Sequence, residues 1–312
     1  MKKIAILLPC FNESSGIDIL TNQLVTELEK LPFLFELIYI DDGSLDDTKA
    51  RIQNLKIASP TINTVLLALK FNMGHQKAIQ QGLIYAHSKN FDNVIIMDAD
   101  GEDDPAAIQE LLKHTDKDLV QVIRGKRNEN WRFKFFYRLY QSLFKVVIGK
   151  RLNFGNFCMM SPKLVNTATE NSFVHLAAFL DNQKCYKTQV KWDRNQRISG
   201  ESKMGFKNLF YHAVNSFVEN AQSLLFVFIK LCMFLILGIL ILTGFILYKK
   251  YVIDVAVPGW SSTLMATLFN SLLISIGVFV LGSLQLNILS KQTGHKKVAY
   301  FTESQIVENW KI

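Results

Sequence analysis

Two aspartates separated by one residue follow a short apolar stretch in this chain of 312 residues. Asp98 and Asp100 come directly after the apolar residues 94–97. Carboxylates this close repel each other unless a cation lies between them. Their hard oxygens suit Mg²⁺ or Mn²⁺, and these ions also bind phosphate oxygens. We therefore expect a divalent metal at Asp98 and Asp100, with a merely solvated acidic turn as the alternative.

Further polar side chains share this placement after an apolar stretch. Because ligands of parallel α/β sheets bind beyond the carboxyl ends of the strands, such clusters are candidates for one common site. They are Asn12 and Glu13, Asp41 and Asp42, and the continuation of the acidic loop through Glu102, Asp103 and Asp104.

Basic residues follow two later segments and are candidates for phosphate contacts. A metal-bound diphosphate leaves charge to balance, and guanidinium groups bind phosphate in a fork-like geometry. A glycine loop with basic ends, such as residues 197–203, can also close over a bound nucleotide. Solvated basic loops are the alternative interpretation. The candidates are Arg124, Lys126, Arg127, Arg197 and Lys203.

The composition favours an anionic partner other than nucleic acid. Lys and Arg total 35 against 27 Asp and Glu, which gives a formal net charge of +8. This charge suits phosphorylated ligands or an anionic membrane surface, and no nucleic-acid-binding motif accompanies it. The four cysteines lack zinc or redox spacing, which indicates a reducing compartment and no disulfide framework.

Short apolar stretches alternate with amphipathic segments through the first hundred residues, which predicts an α/β fold. The rhythm is typical of a mostly parallel, Rossmann-like sheet with helices on both faces. Residues 4–8 are too few for a signal peptide and no cleavage site follows, so a buried strand is the better interpretation. The predicted strands are 4–8, 35–40, 64–69 and 94–97, and the predicted helices are 18–30, 47–55 and 75–88.

Two long apolar runs in the last third predict a membrane anchor. Residues 231–248 and 264–289 are each long enough to span a bilayer as a helix. Lysines are more numerous after the second run than between the runs, which places the tail and the main domain in the cytoplasm. Earlier segments, about 131–149 and 205–220, have aromatic-rich apolar faces and basic flanks. We expect helices in the membrane interface there, with ordinary core-facing helices as the alternative.

A series of short motifs resembles glycosyltransferase family 2, and in particular its polyprenyl-phosphate glycosyltransferases. That group includes dolichyl-phosphate mannose synthases and bacterial undecaprenyl-phosphate glucosyltransferases. Each motif is weak alone, but their order and the two following apolar runs make the set specific. The motifs are LPCFNE (8–13), DDGS (41–44), FNMGHQKA (71–78), MDAD (97–100), GKR (125–127), GNF (155–157) and RISGESK (197–203).

The resemblance implies a GT-A fold and an inverting transfer of a sugar. Asp98 and Asp100 match the metal-binding pair, and Glu102 stands where the family usually has a Gln near the metal. The residues that the resemblance assigns to the donor nucleotide are Pro9, Asn12, Glu13, Asp42, Asp98, Arg197 and Lys203. Those that it assigns to catalysis are Asp100, Asp103, Arg127 and Asn156.

Three departures from the family pattern concern the substrates. The acidic loop reads DADGEDDP where the family usually has DADLQDPP, and the Arg-Gly-rich segment expected near residues 170–181 is not recognisable. Asn156 occupies a position where many members have Asp, a candidate base. A lipid phosphate is already largely ionised near neutral pH, so we expect Asn156 to orient the acceptor instead. His75, at a predicted helix start, is interpreted as structural, although its type permits base catalysis.

These observations predict a GT-A domain (1–222, including the interface helices), a two-helix anchor (223–290) and a cytoplasmic tail (291–312). We expect transfer from a nucleotide sugar, by default UDP-glucose, to a polyprenyl phosphate attracted by basic residues near the membrane. The resemblance is also compatible with a homo-tetramer. A different lipid or glycan acceptor and a catalytically silent membrane scaffold remain alternatives. The candidates for binding the acceptor phosphate are Arg132, Arg138 and Arg151.

Overall fold

The computed structural model consists of two compact units. The first contains all the strands and the shorter helices, and the second contains the two long apolar helices. The structure describes residues 1–124, 142, 145, 154–171, 173–195, 197–198, 219, 221–253, 259–292 and 298–310.

Within the described residues, the first unit is built on one eight-stranded sheet. The four strands and three helices predicted from the sequence are all present. The strands are β1 (Lys3–Cys10), β2 (Leu34–Asp41), β3 (Ile62–Leu69), β4 (Asn93–Ile96), β5 (Leu119–Arg124), β6 (Phe154–Met160), β7 (Lys187–Trp192) and β8 (Phe301–Val307). The helices are α1 (Ile17–Leu28), α2 (Thr48–Gln53), α3 (His75–Lys89), α4 (Ala107–Leu112), α5 (Pro162–Glu170) and α6 (Leu176–Asn182).

The strand order is β7-β5-β6-β4-β1-β2-β3-β8. β1 pairs in parallel with β2 and β4, and β2 pairs in parallel with β3. The chain therefore builds outward on one side of β1 and then crosses to the other side. The order reverses between β1 and β4, and open α/β sheets bind ligands at such a reversal. β6, between β5 and β4, and β8, at one edge, run antiparallel to their neighbours, so the mostly parallel sheet is mixed.

Helices cover both faces of the sheet and bury its apolar side chains. Successive residues of a strand point to opposite faces. Leu8 of β1 accordingly belongs to one buried cluster with Leu24 of α1, and Leu7 belongs to another with Ile79 of α3. All four side chains are fully buried. This packing fixes the carboxyl ends of the central strands, where the candidate residues lie.

β8 places part of the predicted tail in the sheet. It pairs antiparallel with β3 at one edge of the sheet. Beyond it, Asn309 Nδ2 donates to three carbonyl oxygens around the start of β3, at 2.8–3.2 Å, and Trp310 Nε1 donates to Thr61 O at 3.0 Å. The prediction of a separate tail over residues 291–312 missed this strand, because a half-exposed edge strand with alternating polar residues has no continuous apolar run.

The second unit contains α7 (Ala221–Tyr251) and α8 (Trp260–Gln292). Their segments Leu225–Tyr251 and Ser262–Gln285 have mean hydropathies of 3.0 and 2.2. Twenty-seven helical residues extend about 40 Å, enough to cross a hydrocarbon core about 30 Å thick. Almost none of their most apolar stretches is buried in protein, unlike the core helices of a soluble protein. Both helices are therefore long and apolar enough to cross a membrane.

The predicted interface helices, about 131–149 and 205–220, lie outside the described residues, apart from residues 142, 145 and 219.

Candidate active site

Side chains from distant parts of the sequence meet at the carboxyl ends of β1 and β4. The guanidinium of Arg197 connects them: its Nη2 donates to Glu13 Oε1 at 3.0 Å and lies 3.7 Å from Asp100 Oδ2. The Arg197 and Glu13 side chains are 17% and 12% exposed, so the pair is shielded from solvent. The structure thus brings together three residues that the sequence assigned to donor and metal binding.

The acidic loop after β4 divides its carboxylates between two tasks. Asp103 is buried, and its Oδ2 accepts a hydrogen bond from the Asp98 backbone N–H at 3.1 Å. Glu102 forms a salt bridge with Arg194, whose Nε also lies 3.9 Å from Asp103 Oδ1. Glu102 is therefore paired with the Arg194 guanidinium, and Asp103 stabilises the loop through its hydrogen bond from the Asp98 N–H. Asp98 and Asp100 remain as the pair of the predicted metal site.

Gly101 accounts for the unusual sequence of this loop. Its φ is +78°, which side chains other than glycine rarely adopt. A Cβ at this position would lie 2.4 Å from side-chain atoms of Ile198. The Ile198 N–H also donates to Asp100 O at 3.3 Å. The segment after β7 therefore packs directly on the loop, which a larger residue at position 101 would prevent.

Arg194 and Trp192 are site-supporting residues that the sequence analysis missed. Trp192 Nε1 donates to Asp104 Oδ2 at 2.9 Å, and Arg194 forms the salt bridge with Glu102. The only available signal was their proximity to Arg197 along the chain. No sequence spacing shows that this segment would contact a loop some 90 residues earlier.

The end of β2 contributes a buried carboxylate. Asp42 accepts hydrogen bonds from the backbone N–H groups of Met73 and Gly74 at 2.7 and 2.9 Å. Burial raises the pKa of Asp42 above its usual value, against the effect of these two bonds. Gly43, at φ +70°, lets the turn approach the same loop, since a Cβ there would lie 3.0 Å from Asn72 N. Asp42 and residues 70–74 thus form one rigid corner.

The end of β1 is tied to the end of β2. Asn12 has a left-handed φ of +55°. Its Oδ1 accepts from Leu45 N at 2.7 Å, and its own N–H donates to Ser44 Oγ at 3.0 Å. Pro9 is buried within β1, opposite Ile40. As placed, Pro9 and Asn12 shape the edge of the site.

His75 lies within the site, where it contacts both Asp98 and Asn156. Its Nε2 is 3.3 Å from Asp98 Oδ1 and 3.0 Å from Asn156 Nδ2. Burial opposes protonation of the imidazole, but the hydrogen bond and charge of Asp98, with the charge of nearby Asp100, outweigh it and raise the pKa of His75. The structure thus gives His75 polar partners in the site, where the sequence indicated a merely structural residue.

Asn156 has an unused acceptor. Among the residues that the structure describes, its buried Oδ1 has no hydrogen-bond partner. Asn156 lies on β6, next to β4, which explains how a residue so far along the chain reaches His75. The carboxamide therefore has capacity for one more contact.

The carboxylate pair fits a divalent cation that arrives with phosphate ligands. Burial and the neighbouring charge of Asp98 raise the pKa of Asp100, so a cation there would relieve both costs. Over the described ranges, no group of three His, Cys, Asp or Glu is placed to hold a metal ion. Mg²⁺ commonly uses one or two carboxylates together with substrate phosphates and water, and needs no larger protein cage.

A known protein family matches the part of the chain that forms most of this site. The family model described as Glycosyl transferase family 2 matches residues 5–179, more than half of the chain. This chain belongs to glycosyltransferase family 2. The match covers β1 to α5 and thus the ends of β1, β2 and β4. The protein is accordingly a glycosyltransferase.

Relatives of this family 2 glycosyltransferase align over most of its length. An uncharacterized glycosyltransferase of Synechocystis sp. is 28% identical over 289 residues, which cover 88% of each chain. A bactoprenol glucosyl transferase of Shigella phage SfX is 27% identical over 293 residues, which cover 90% of this chain and 92% of the phage protein. Both alignments are much longer than the family match over residues 5–179.

Solved structures confirm the GT-A fold. Glucosyl-3-phosphoglycerate synthase from Mycobacterium tuberculosis, in complex with Mn²⁺, uridine diphosphate and glucosyl-3-phosphoglycerate, has a TM-score of 0.52. It is 16% identical, and the match covers 71% of this chain and 80% of that chain. Similarity at this level shows the fold alone. It agrees with the mixed sheet described above.

Six basic residues that the sequence assigned to this family 2 site lie outside the described residues. They are Lys126, Arg127 and Lys203, predicted at the donor phosphates, and Arg132, Arg138 and Arg151, predicted at the acceptor phosphate.

Proposed function

We propose that this glycosyltransferase moves a hexose from a nucleotide sugar, by default UDP-glucose, to a polyprenyl phosphate such as undecaprenyl phosphate. The transfer inverts the configuration at the sugar C1. The observation that carries the proposal is the meeting of Asp98, Asp100, Arg197 and Glu13 at the reversal of strand order. The bactoprenol glucosyl transferase that aligns over 90% of this chain supports the lipid acceptor.

On the donor side, the proposal assigns two sets of contacts. Asp42 accepts hydrogen bonds from the nucleoside, and Asp98 and Asp100 would hold the Mg²⁺ or Mn²⁺ that accompanies the diphosphate. Two solved structures with the same fold were determined with uridine diphosphate and Mn²⁺ or Mg²⁺. The cation, when bound, neutralises charge on the departing diphosphate. Arg197 adds a positive charge next to Asp100.

On the acceptor side, the proposal assigns Asn156 and His75 to the lipid phosphate. The second pKa of a phosphomonoester is about 6, so the phosphate is largely dianionic at neutral pH and needs no strong base. Rotation of the Asn156 carboxamide about Cβ–Cγ places Oδ1 against an N–H of His75 Nε2. The same rotation turns Nδ2 into the position of the unused acceptor, where it donates to a phosphate oxygen.

The proposed step balances without a further reactant. A phosphate oxygen of the acceptor forms a bond to C1 of the sugar, while the bond from C1 to the β-phosphate oxygen breaks. The nucleoside diphosphate leaves with the electron pair from the opposite face. Positioning of the two phosphates and screening of their charge supply most of the rate enhancement.

The proposal places the protein in the cytoplasmic membrane with two crossings. The two apolar helices of the second unit support it. Since β8 follows the second of these helices and pairs with β3, the tail and the sheet must lie on the same side of the membrane. An even number of crossings meets that requirement. The excess of lysines after the second helix supports the cytoplasm as this side.

A reconstituted assay tests the function. The purified full-length protein is mixed with Mg²⁺ or Mn²⁺, undecaprenyl phosphate and labelled UDP- or GDP-sugars, and label in the lipid phase is counted. We expect transfer from one donor and its loss in Asp100→Ala. The matched control is Asp104→Asn, which removes one negative charge from the same loop but keeps an acceptor for Trp192 Nε1.

The alternatives give different results in the same assay. Nucleotide release that requires a diacylglycerol or a glycan would replace the acceptor and keep the enzyme class. A folded protein that releases no nucleotide from any donor would favour a membrane scaffold. Equal loss of transfer in Asp104→Asn and Asp100→Ala would contradict the assignment of the metal site.

A further inference from the structure

Residues 298–300, at the start of the returning chain, contact the loop that forms the nucleoside corner. This loop, residues 70–74, links β3 to α3. Two of its backbone N–H groups donate hydrogen bonds to Asp42. The backbone N–H of Lys70 donates to Tyr300 O at 3.1 Å. The rings of Phe71 and Tyr300 lie 6.2 Å apart between centroids, at an angle of 57°. The first residue and the second residue of the loop therefore both touch Tyr300.

A buried glutamine on α3 holds the same segment. Gln81 is 3% exposed, and its carboxamide is used at both ends. Its Nε2 donates to Val298 O at 3.2 Å, and its Oε1 accepts from the Tyr300 N–H at 2.7 Å. A buried carboxamide costs free energy unless it is paired. These two bonds therefore fix the position of residues 298–300 relative to α3.

The loop is thus confined from two sides. Asp42 and Gly43 lie against it on the side of the site, where a Cβ on Gly43 would approach Asn72 N to 3.0 Å. Tyr300 lies against its first two residues on the side of β8. A loop held at one side only would keep its hydrogen bonds to Asp42 at an additional cost in conformational entropy. The contact with Tyr300 orders the loop before the nucleoside binds and so removes part of that entropic cost.

We propose that Tyr300 and Gln81 are positioning residues for the donor nucleoside, which they serve by ordering residues 70–74 around Asp42. This rests on the proposed function, because Asp42 must contact the nucleoside. Neither residue touches the donor. The chain that follows the membrane helices thereby completes the nucleotide-binding half of the site.

The test compares two ends of the same docked segment. Tyr300→Ala removes the ring contact beside the loop. Asn309→Ala removes three hydrogen bonds at the other end of β3, next to the start of that strand. Both variants, as full-length protein in detergent, are measured by thermal unfolding and by calorimetric titration with UDP and Mg²⁺, with GDP and Mg²⁺ in parallel. Undecaprenyl phosphate transfer is assayed on the same samples.

We expect both variants to lower the melting temperature, but Tyr300→Ala alone to weaken nucleotide binding, by roughly three- to tenfold, the range of moderate couplings between sites. Tyr300→Phe keeps the ring and the backbone contacts and restores wild-type affinity. Gln81→Leu, which removes the contacts from the side of α3, also weakens nucleotide binding. The donor KM rises in these variants while kcat at saturating donor changes less.

Each outcome is decisive. Unchanged nucleotide affinity in Tyr300→Ala and Gln81→Leu overturns the inference, and so does an equal loss in Asn309→Ala, which would mean that β8 acts through stability alone. Wild-type protein that binds UDP or GDP but transfers no sugar to undecaprenyl phosphate overturns the proposed acceptor and leaves the inference standing. Wild-type protein that binds neither nucleotide overturns both.

Discussion

Gly101 is required for two reasons. Its positive φ excludes most side chains, and the Ile198 side chain occupies the space that a Cβ would need. We expect Gly101→Ala to destabilise the protein by about 1–3 kcal/mol from the backbone alone, with a further loss from the contact. Thermal unfolding of the full-length protein measures the sum.

Gly74 is the matched control for this substitution. It also has a positive φ, of +87°, but a Cβ there would meet nothing within 4 Å. Gly74→Ala should therefore show the backbone cost only. Adding Ile198→Ala to Gly101→Ala should recover part of the lost stability. No recovery would show that Ile198 does not limit the residue at position 101.

The contact between His75 and Asn156 predicts that their contributions to acceptor binding are coupled. If His75 orients the Asn156 carboxamide, removal of either side chain disables the same interaction with the lipid phosphate. His75→Ala and Asn156→Ala should each raise the acceptor KM, and the double variant should be little worse than either one. Initial rates at varied undecaprenyl phosphate measure this.

Gln76 provides a control next to His75. Its Oε1 accepts from Leu176 N at 2.7 Å, so Gln76→Ala perturbs the same helix start without touching Asn156. It should leave the acceptor KM unchanged. Fully additive effects of His75→Ala and Asn156→Ala would contradict a positioning role for His75.

A buried glutamate, Glu36, takes part in a network that joins β2, α3 and β8. Glu36 of β2 accepts from the Tyr85 hydroxyl of α3 at 3.1 Å, and that hydroxyl lies 3.3 Å from Glu303 of β8. Lys89 forms a salt bridge with Glu303. One hydroxyl hydrogen cannot serve two carboxylates fully. Burial raises the pKa of Glu36, against the effects of Tyr85 and Lys89.

The raised pKa of Glu36 sets the sign of a pH dependence. The stability that it contributes is fully present below its unfolded pKa and is lost as the pH rises through its folded pKa. Glu36→Gln resembles the protonated form at every pH. Its melting temperature should therefore exceed that of the wild type at pH 8, and the gap should shrink towards pH 5. A gap that is constant or widens towards acid would contradict this account.

β8 protects an edge of the sheet, and its removal should expose that edge. A protein truncated after residue 297 leaves β3 with unpaired N–H and C=O groups, which favour association with other chains. We expect aggregation in size-exclusion chromatography and a lower melting temperature. A synthetic peptide of residues 298–310, added in trans, should restore part of both by adding a strand. A truncated protein that stays monodisperse and equally stable would contradict this role.

The pairing of β8 with β3 makes a prediction about the whole molecule. Because the sheet contains strands from before and after the apolar helices, the residues between those helices should lie on the opposite side of the membrane. In a background without the four native cysteines, Val252→Cys, just after the end of α7, should react with an impermeant maleimide in intact cells. Ser304→Cys should react only after permeabilisation. Equal labelling of both in intact cells would exclude two crossings.

The order of apolar and polar stretches was sufficient to predict the central elements. Strands such as 4–8 and 94–97 are continuous apolar runs, because both faces of a central strand are buried. The site residues at the ends of these strands could also be predicted, because a ligand site at the edge of a sheet needs polar residues immediately after the strands. β8 was missed because an edge strand carries no such pattern, and its pairing depends on a partner more than 200 residues away.

What the sequence determined by itself is the set of chemical groups: Asp98 and Asp100 after one strand, Asp42 after another, and two helices apolar enough for a membrane. Only the tertiary structure decided which groups meet. It turned Glu102 to Arg194, buried Asp103 beneath Asp98, and brought His75 to Asn156. The physical reason is that side-chain type follows from local sequence, whereas contact depends on strand order and on the packing of segments far apart in the chain.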